Sequence, residues 1–237
     1  MNFTIIRLLK SAFIKLKLHA LFGPFTNFFI QLAYLTKLSK WASENKHVPY
    51  NDFYTTWDYN KRYELYEHVM TSESLRGPIN YLEFGVAGGV SFKWWLSHNT
   101  NVDSKFYGFD TFDGLPEDFG PYKKGTFSSN FQIPVINDTR GQFYSGLFQQ
   151  TLPTFLKNFD NKNPTVLMLD ADLYSATLFT LASFAPFLKK GDIILFDEFV
   201  VPTHEFMAYE NFIKAWYFEL ELIAAANNYY FVAFKVK

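Results

Sequence analysis

The 237-residue chain has no cysteine. That excludes a disulfide scaffold, thiolate metal ligation and a cysteine nucleophile, and it agrees with a cytoplasmic setting. It has no acid before Glu44, although Arg7, Lys10, Lys15, Lys17, Lys37 and Lys40 come earlier. With a formal net charge of -1 for the whole chain, the residues after 43 carry -7. A nucleic-acid partner is excluded on this ground, because phosphate binding needs a basic face on the working domain. There is no long apolar run. The longest uncharged stretch, 20–36, falls short of the roughly 20 residues a spanning helix needs and contains Gly23-Pro24. Lysines interrupt the apolar pattern and no small-residue cleavage site follows, so a secretory signal does not fit.

What is present is apolar bulk. Hydrophobic residues make up 49% and aromatics 21%, enough for a large ordered core. Residues 1–45 read as a basic amphipathic helical extension. Ile5, Leu8, Leu9, Ala12, Phe13, Leu16 and Ala20 share one side of a helix, opposite Arg7, Lys10 and Lys17. "FGPF" breaks the pattern and "TNFFIQLAYLTKL" resumes it. Two roles fit residues 1–40: peripheral contact with an anionic membrane on its inner face, or packing on the main domain or on a second subunit of a homo-oligomer.

Residues 46–237 read as one α/β domain. "YTTWDYNKRYELYEHV" (54–69) is a helix candidate that brings Tyr59, Arg62 and Tyr63 towards an acceptor site. "INYLEFG", "KFYGFD", "QFYSGLF", "TVLMLD" and "DIILFD" read as strands, with helices over 91–98, 151–159, 174–191 and 204–218 between and after them. Thr151 suits an N-cap, and Pro186 should kink or shorten its helix. Residues 220–237 form two strands around a turn near Asn227-Asn228. Short apolar strands alternating with helices imply a mostly parallel sheet covered on both faces, with an antiparallel hairpin at its end. In such a sheet ligands sit beyond the carboxyl ends of the strands, where Glu83, Asp110, Asp170 and Asp197-Glu198 fall. The long irregular stretch 111–141 is expected to fold over that rim, with Asp113 and Glu117 as solvated loop acids.

"EFGVAGGVS" is neither a dinucleotide fingerprint nor a P-loop. An acid beside the glycines disfavours pyrophosphate and suits an ammonium or sulfonium group. Taken together, "YLEFGVAGGVS", "GFDTFDGLPED", "GLFQQTLP", "LDADLYSAT" and "GDIILFDEF", in that order over roughly residues 60–200, resemble class I S-adenosylmethionine-dependent methyltransferases. The closest group is the macrocin O-methyltransferase-like (TylF) family. The resemblance implies a Rossmann-like fold with a seven-stranded sheet, and S-adenosylmethionine at the first two strand ends. It implies cofactor contacts from Glu83, Gly85, Gly88, Gly89 and Ser91, a ribose acid at Asp110, and an adenine block at Gly146, Leu147 and Phe148. It further implies a divalent ion, usually magnesium, held by Asp170, Asp197 and Glu198, where relatives carry Asp-Asp or Asp-Asn in place of Asp197-Glu198.

The chemistry agrees with such a site. A methyl group passes in line from sulfonium to an oxygen whose proton must leave. A hard cation on carboxylate oxygens lowers the pKa of that hydroxyl. An oxygen-only set suits magnesium better than zinc. Asp170, Asp172 and His204 are the candidate bases, and Asp172 alternatively caps the helix beginning near Tyr174. The resemblance implies O-methylation, assisted by the divalent ion, of a hydroxyl on a sugar or on a glycosylated natural product or polysaccharide, that is, a small-molecule or glycan acceptor. The alternative is a binding or scaffold protein that keeps the fold without turnover.

Overall fold

The structure is a computed structural model that describes residues 2–53 and 56–237. Helix α1 (Phe3–Lys15), the single turn α2 (His19–Phe22), a 3₁₀ turn at Gly23–Phe25 and helix α3 (Thr26–Glu44) come first. There follow β1 (Tyr50–Asn51), α4 (Lys61–Ser72), β2 (Asn80–Phe84), α5 (Val90–His98), β3 (Lys105–Asp110) and β4 (Gly141–Ser145). The chain ends with α6 (Phe148–Leu156), β5 (Thr165–Leu169), α7 (Tyr174–Phe184), β6 (Ile193–Phe196), α8 (Glu205–Trp216), β7 (Leu220–Ala226) and β8 (Phe231–Val236). The helix expected over 54–69 begins only at Lys61, and its first two positions, 54 and 55, lie outside the described residues.

The strands form one sheet in the order β1-β7-β8-β6-β5-β2-β3-β4. The sheet has eight strands, not seven. The addition is the two-residue β1, which pairs parallel to β7 at the edge and is too short to leave an apolar pattern in the sequence. Only β8 runs antiparallel to its neighbours β6 and β7. The hairpin turn uses left-handed backbone at Asn227, Asn228 and Tyr229, a conformation Asn tolerates better than most residues.

Strands β2, β5 and β6 are buried throughout, as continuous apolar runs in a sheet covered on both faces should be. Side chains alternate between two cores. Leu82, Phe84, Leu167, Leu169, Ile194 and Phe196 meet residues of α6, α7 and α8. Tyr81, Val166, Met168, Ile193 and Leu195 meet residues of α4 and α5. Trp41 of α3 belongs to the first core, its ring set at steep angles against Phe199, Tyr229 and Phe234, so packing on the domain begins before residue 45.

Two helix boundaries differ from expectation. Helix α6 starts at Phe148, so Thr151 is not its N-cap and β4 stops at Ser145. Helix α7 stops at Phe184, shortened as Pro186 requires. Lys189 then lies beyond the helix, and its ammonium donates to the carbonyls of Asn161, Lys162 and Asn163.

Candidate active site

The site follows from strand register. Phe84 pairs with Phe109 on one side and with Leu169 on the other, and Leu169 pairs with Phe196. The next residue along each strand is Asp110, Gly85, Asp170 or Asp197, so these four form one row across β3, β2, β5 and β6. The ladder continues one step to hold them. Gly85 N donates to Phe109 O, Asp170 N to Phe84 O and Asp197 N to Leu169 O, at 2.9, 2.9 and 3.0 Å. The chain leaves β2 in opposite directions towards β4 and β6, which opens a crevice at this row.

Gly85 is required in that row. Its φ is +93°, and a Cβ there would overlap the backbone carbonyl of Asp170. Asp110 Oδ2 accepts from the amides of Val86 and Ala87 at 2.7 Å each, and its Oδ1 accepts from Phe112 N at 2.7 Å. One carboxylate thus fixes both the glycine turn and the start of the following loop.

Above the row lies a cleft of about 340 Å³. Of the expected cofactor residues, Gly85, Gly88, Ser91, Asp110, Leu147 and Phe148 line it; Gly89 and Gly146 do not. Gly89 supports the turn from below, at φ +72° as the N-cap residue of α5. Gly146, at φ +138°, carries the chain out of β4.

Glu83 is not on the rim. It lies in the row of Gly108, Met168 and Leu195, two residues before the edge, and its side chain is fully buried. It accepts from Tyr81 Oη at 2.6 Å and from Ser91 Oγ at 2.7 Å. Burial pushes its carboxyl up to about 8. Period-two alternation turns it towards α5, so it braces the turn from beneath and does not reach the cleft.

Among the described residues, the lining holds five acids, Asp110, Asp170, Asp172, Asp197 and Glu198, against a single cation, Arg62 of α4. Arg62 is buried. Its Nη2 pairs with Asp197 Oδ2 at 2.6 Å and its Nη1 with Asp170 Oδ2 at 3.7 Å, while Tyr59 covers it 3.7 Å from the ring centre. Burial opposes the guanidinium charge, but Asp197 and Asp170 outweigh it and hold the group protonated.

Four of the five acids act on one another in two pairs, Asp170 with Asp197 and Asp172 with Glu198. Asp170 is pushed up to about 6 by burial, against the opposing pull of Arg62 and a hydrogen bond from Asp197. Asp197 is pushed well above the usual carboxylate range, by burial first and then by the charge of Asp170. Asp172 is pushed up to about 8 by burial and by Glu198, with which it shares a hydrogen bond. Asp172 has φ +58° and makes no cap to α7, whose N-cap position is Leu173. Such a carboxyl has far more proton affinity than an exposed Asp.

His204 does not line the cleft. Its ring packs edge-on against Phe119, with centroids 4.7 Å apart, and its Nδ1 accepts from Tyr174 N at 3.3 Å. Burial lowers its pKa. Tyr63 faces Tyr66 and Trp94 in the core, not the cleft. The loop after β3 roofs the cleft through Gly114, Leu115, Pro116 and Phe127. Its Glu117 accepts from Ser175 Oγ of α7 at 2.6 Å, while Asp113 is exposed.

Sequence reasoning missed Glu205 and Tyr230. Glu205 is buried at the start of α8 and accepts from Glu198 N at 2.9 Å. Tyr230 Oη donates to Glu198 Oε1 at 2.7 Å. Both act through Glu198, and neither belongs to a motif that could have flagged it.

The donor chemistry for magnesium is right in kind. All donors are oxygens, and Asp197 Oδ1 and Glu198 Oε2 are buried without a partner, as atoms meant for a hard cation would be. As they stand, however, no three His, Asp or Glu side chains among the described residues are grouped as metal ligands. The cation on Asp170 and Asp197 is the guanidinium of Arg62.

Residues 82–199 match the family described as "Methyltransferase domain". The chain carries a methyltransferase domain on the Rossmann-like fold. The match spans the whole row, from the residue before Glu83 to the one after Glu198. Among solved structures, CalS11, described as a calicheamicin methyltransferase, aligns with a TM-score of 0.60 at 19% identity, covering 86% of this methyltransferase and 91% of CalS11. The O-methyltransferase NovP aligns at 0.56 and 20% identity, covering 73% and 76%. An O-methyltransferase from Bacillus cereus in complex with SAH aligns at 0.50 and 13%, covering 86% and 91%. At these identities the likeness is one of fold. No curated protein matches the sequence.

Proposed function

We propose that this methyltransferase is an O-methyltransferase of the TylF-like group, acting on a hydroxyl of a sugar or glycosylated product. The observation that carries the reading is the row of Asp110, Gly85, Asp170 and Asp197 under one cleft. An acidic pocket with a glycine turn at one end suits the sulfonium and ribose of S-adenosylmethionine. Its other end, beyond Asp170, presents carboxyls to an acceptor hydroxyl. The sugar follows by analogy: CalS11, with 21% identity in its apo form, is described as a TDP-rhamnose 3'-O-methyltransferase. The lack of cysteine and the -7 charge of the domain support a cytoplasmic enzyme with a small-molecule or glycan acceptor.

In the reaction the sulfonium–methyl bond breaks as the oxygen–methyl bond forms. The electron pair stays on sulfur, leaving a neutral thioether. The acceptor proton passes to a cleft carboxylate. Asp172 and Asp170 line the cleft and His204 does not, so the base is assigned to the aspartates. Asp110 and the turn it pins hold the cofactor in register with the acceptor, which is where most of the rate enhancement lies. When bound, magnesium would be held by Asp170, Asp197 and Glu198, and would lower the pKa of the acceptor hydroxyl.

Transfer of labelled methyl from S-adenosylmethionine to a panel of nucleotide-sugars and free glycosides tests the reading. The wild type is expected to label an oxygen. Asp170→Ala should keep affinity for adenosylhomocysteine by calorimetry while turnover falls by about 10²–10³. Label found on nitrogen or carbon, or unchanged turnover in Asp170→Ala, would overturn it. Turnover unaffected by a chelator would remove magnesium alone.

A further inference from the structure

The first 35 residues carry apolar surface that the domain does not cover. Among the described residues, 16 of the 28 exposed large apolar side chains lie between Phe3 and Leu35. Helix α1 buries no residue, and Phe3, Leu8, Ile14 and Leu16 are each at least 66% exposed. Monomeric surfaces rarely leave such a patch bare. The segment is nonetheless regular: Asn2 caps α1 through Thr4 N, and Phe13 stacks on Phe22 across the turn to α2. Helix α3 is docked from Gln31 onward, with Gln31 donating to Thr203, Lys37 paired with Glu210 and Trp41 in the core. The helices ahead of it bury no residue.

Charge decides what covers them. No acid precedes Glu44, while Arg7, Lys10 and Lys15 lie on α1 and Lys17 follows directly after it. Isologous pairing of residues 1–30 with a second copy would set the four cations Arg7, Lys10, Lys15 and Lys17 against four. A lipid surface with anionic headgroups accepts both components, the apolar side among acyl chains and the cations at the phosphates. Among the described residues no helix is long and apolar enough to cross a membrane, so the contact would be peripheral.

We infer that residues 1–30 form an interfacial anchor that docks this methyltransferase on an anionic phospholipid surface.

Flotation of the full-length protein with vesicles of phosphatidylcholine alone, or with added phosphatidylglycerol, tests this. The wild type should float with the anionic vesicles and be released by high salt. Neutralising Lys10, Lys15 and Lys17 to Gln should weaken binding roughly a hundredfold. The substitutions Leu8→Ser, Phe13→Ser and Leu16→Ser should abolish it. Both sets touch exposed residues only, so thermal midpoints should match the wild type. The inference falls if the wild type stays in solution with both vesicles, or if it binds both equally whatever the salt. It also falls if light scattering shows a dimer that the serine variant dissociates, with no vesicle binding, which would assign the face to a second copy.

Discussion

The acidic cleft and the basic N-terminal helices are opposites in how they gather charge. In the helices the cations are neighbours in sequence and stay neighbours in space. In the cleft, acids up to 88 positions apart, Asp110 to Glu198, meet because parallel strands share a register. The first kind of charge survives loss of tertiary packing and the second does not. The two regions should therefore respond very differently to substitution.

The largest effect is expected at Arg62. Arg62→Met removes the one cation that, among the described residues, lines the cleft and should destabilise the fold by about 4 kcal/mol, since a broken buried pair leaves its partner uncompensated. Chemical denaturation measures it. A loss under about 1 kcal/mol would mean that the pair is solvated and the cleft is not the closed charge system described. Trp41→Ala should cost about 3–4 kcal/mol, a core truncation inside the very helix whose first turn is exposed. Gly85→Ala should cost about 3 kcal/mol, from left-handed strain together with overlap on the Asp170 carbonyl, and should also abolish adenosylhomocysteine binding in calorimetry. Normal binding by that variant would contradict the register that sets the row.

Glu83 sharpens the comparison through pH. Its carboxyl is raised to about 8 in the folded state from 4.5, so between those values the folded protein holds more protons than the unfolded one. Stability from this group is complete below about pH 4.5 and is lost as pH rises towards 8. Glu83→Gln should flatten that slope across the window. Melting curves at a series of pH values decide it, and an unchanged slope would show that the group ionises freely. The smallest effect is expected at Leu9→Ala, within about 0.5 kcal/mol of wild type, because α1 buries nothing.

Much of this was legible before folding. Short apolar runs announced β2, β5 and β6, since a strand covered on both faces needs no alternation. Pro186 announced the early end of α7. The acids at strand ends were legible as a rim because an ionised carboxylate cannot remain inside the sheet. Glu83 escaped the rule because two hydroxyls and a raised pKa satisfy it where it lies. The edge strand β1, the start of α6 at Phe148 and the retreat of His204 behind Phe119 were not legible. Each depends on a partner far away in sequence.

By itself the sequence determined the class of fold, the glycine turn and the basic amphipathic start, because hydrophobic period, backbone freedom and charge spacing are local properties. Tertiary structure alone decided which acids face the cleft, that Arg62 sits on two of them, and that α1 has no cover. Those outcomes depend on strand register and helix docking, which bring together residues that local physics cannot relate.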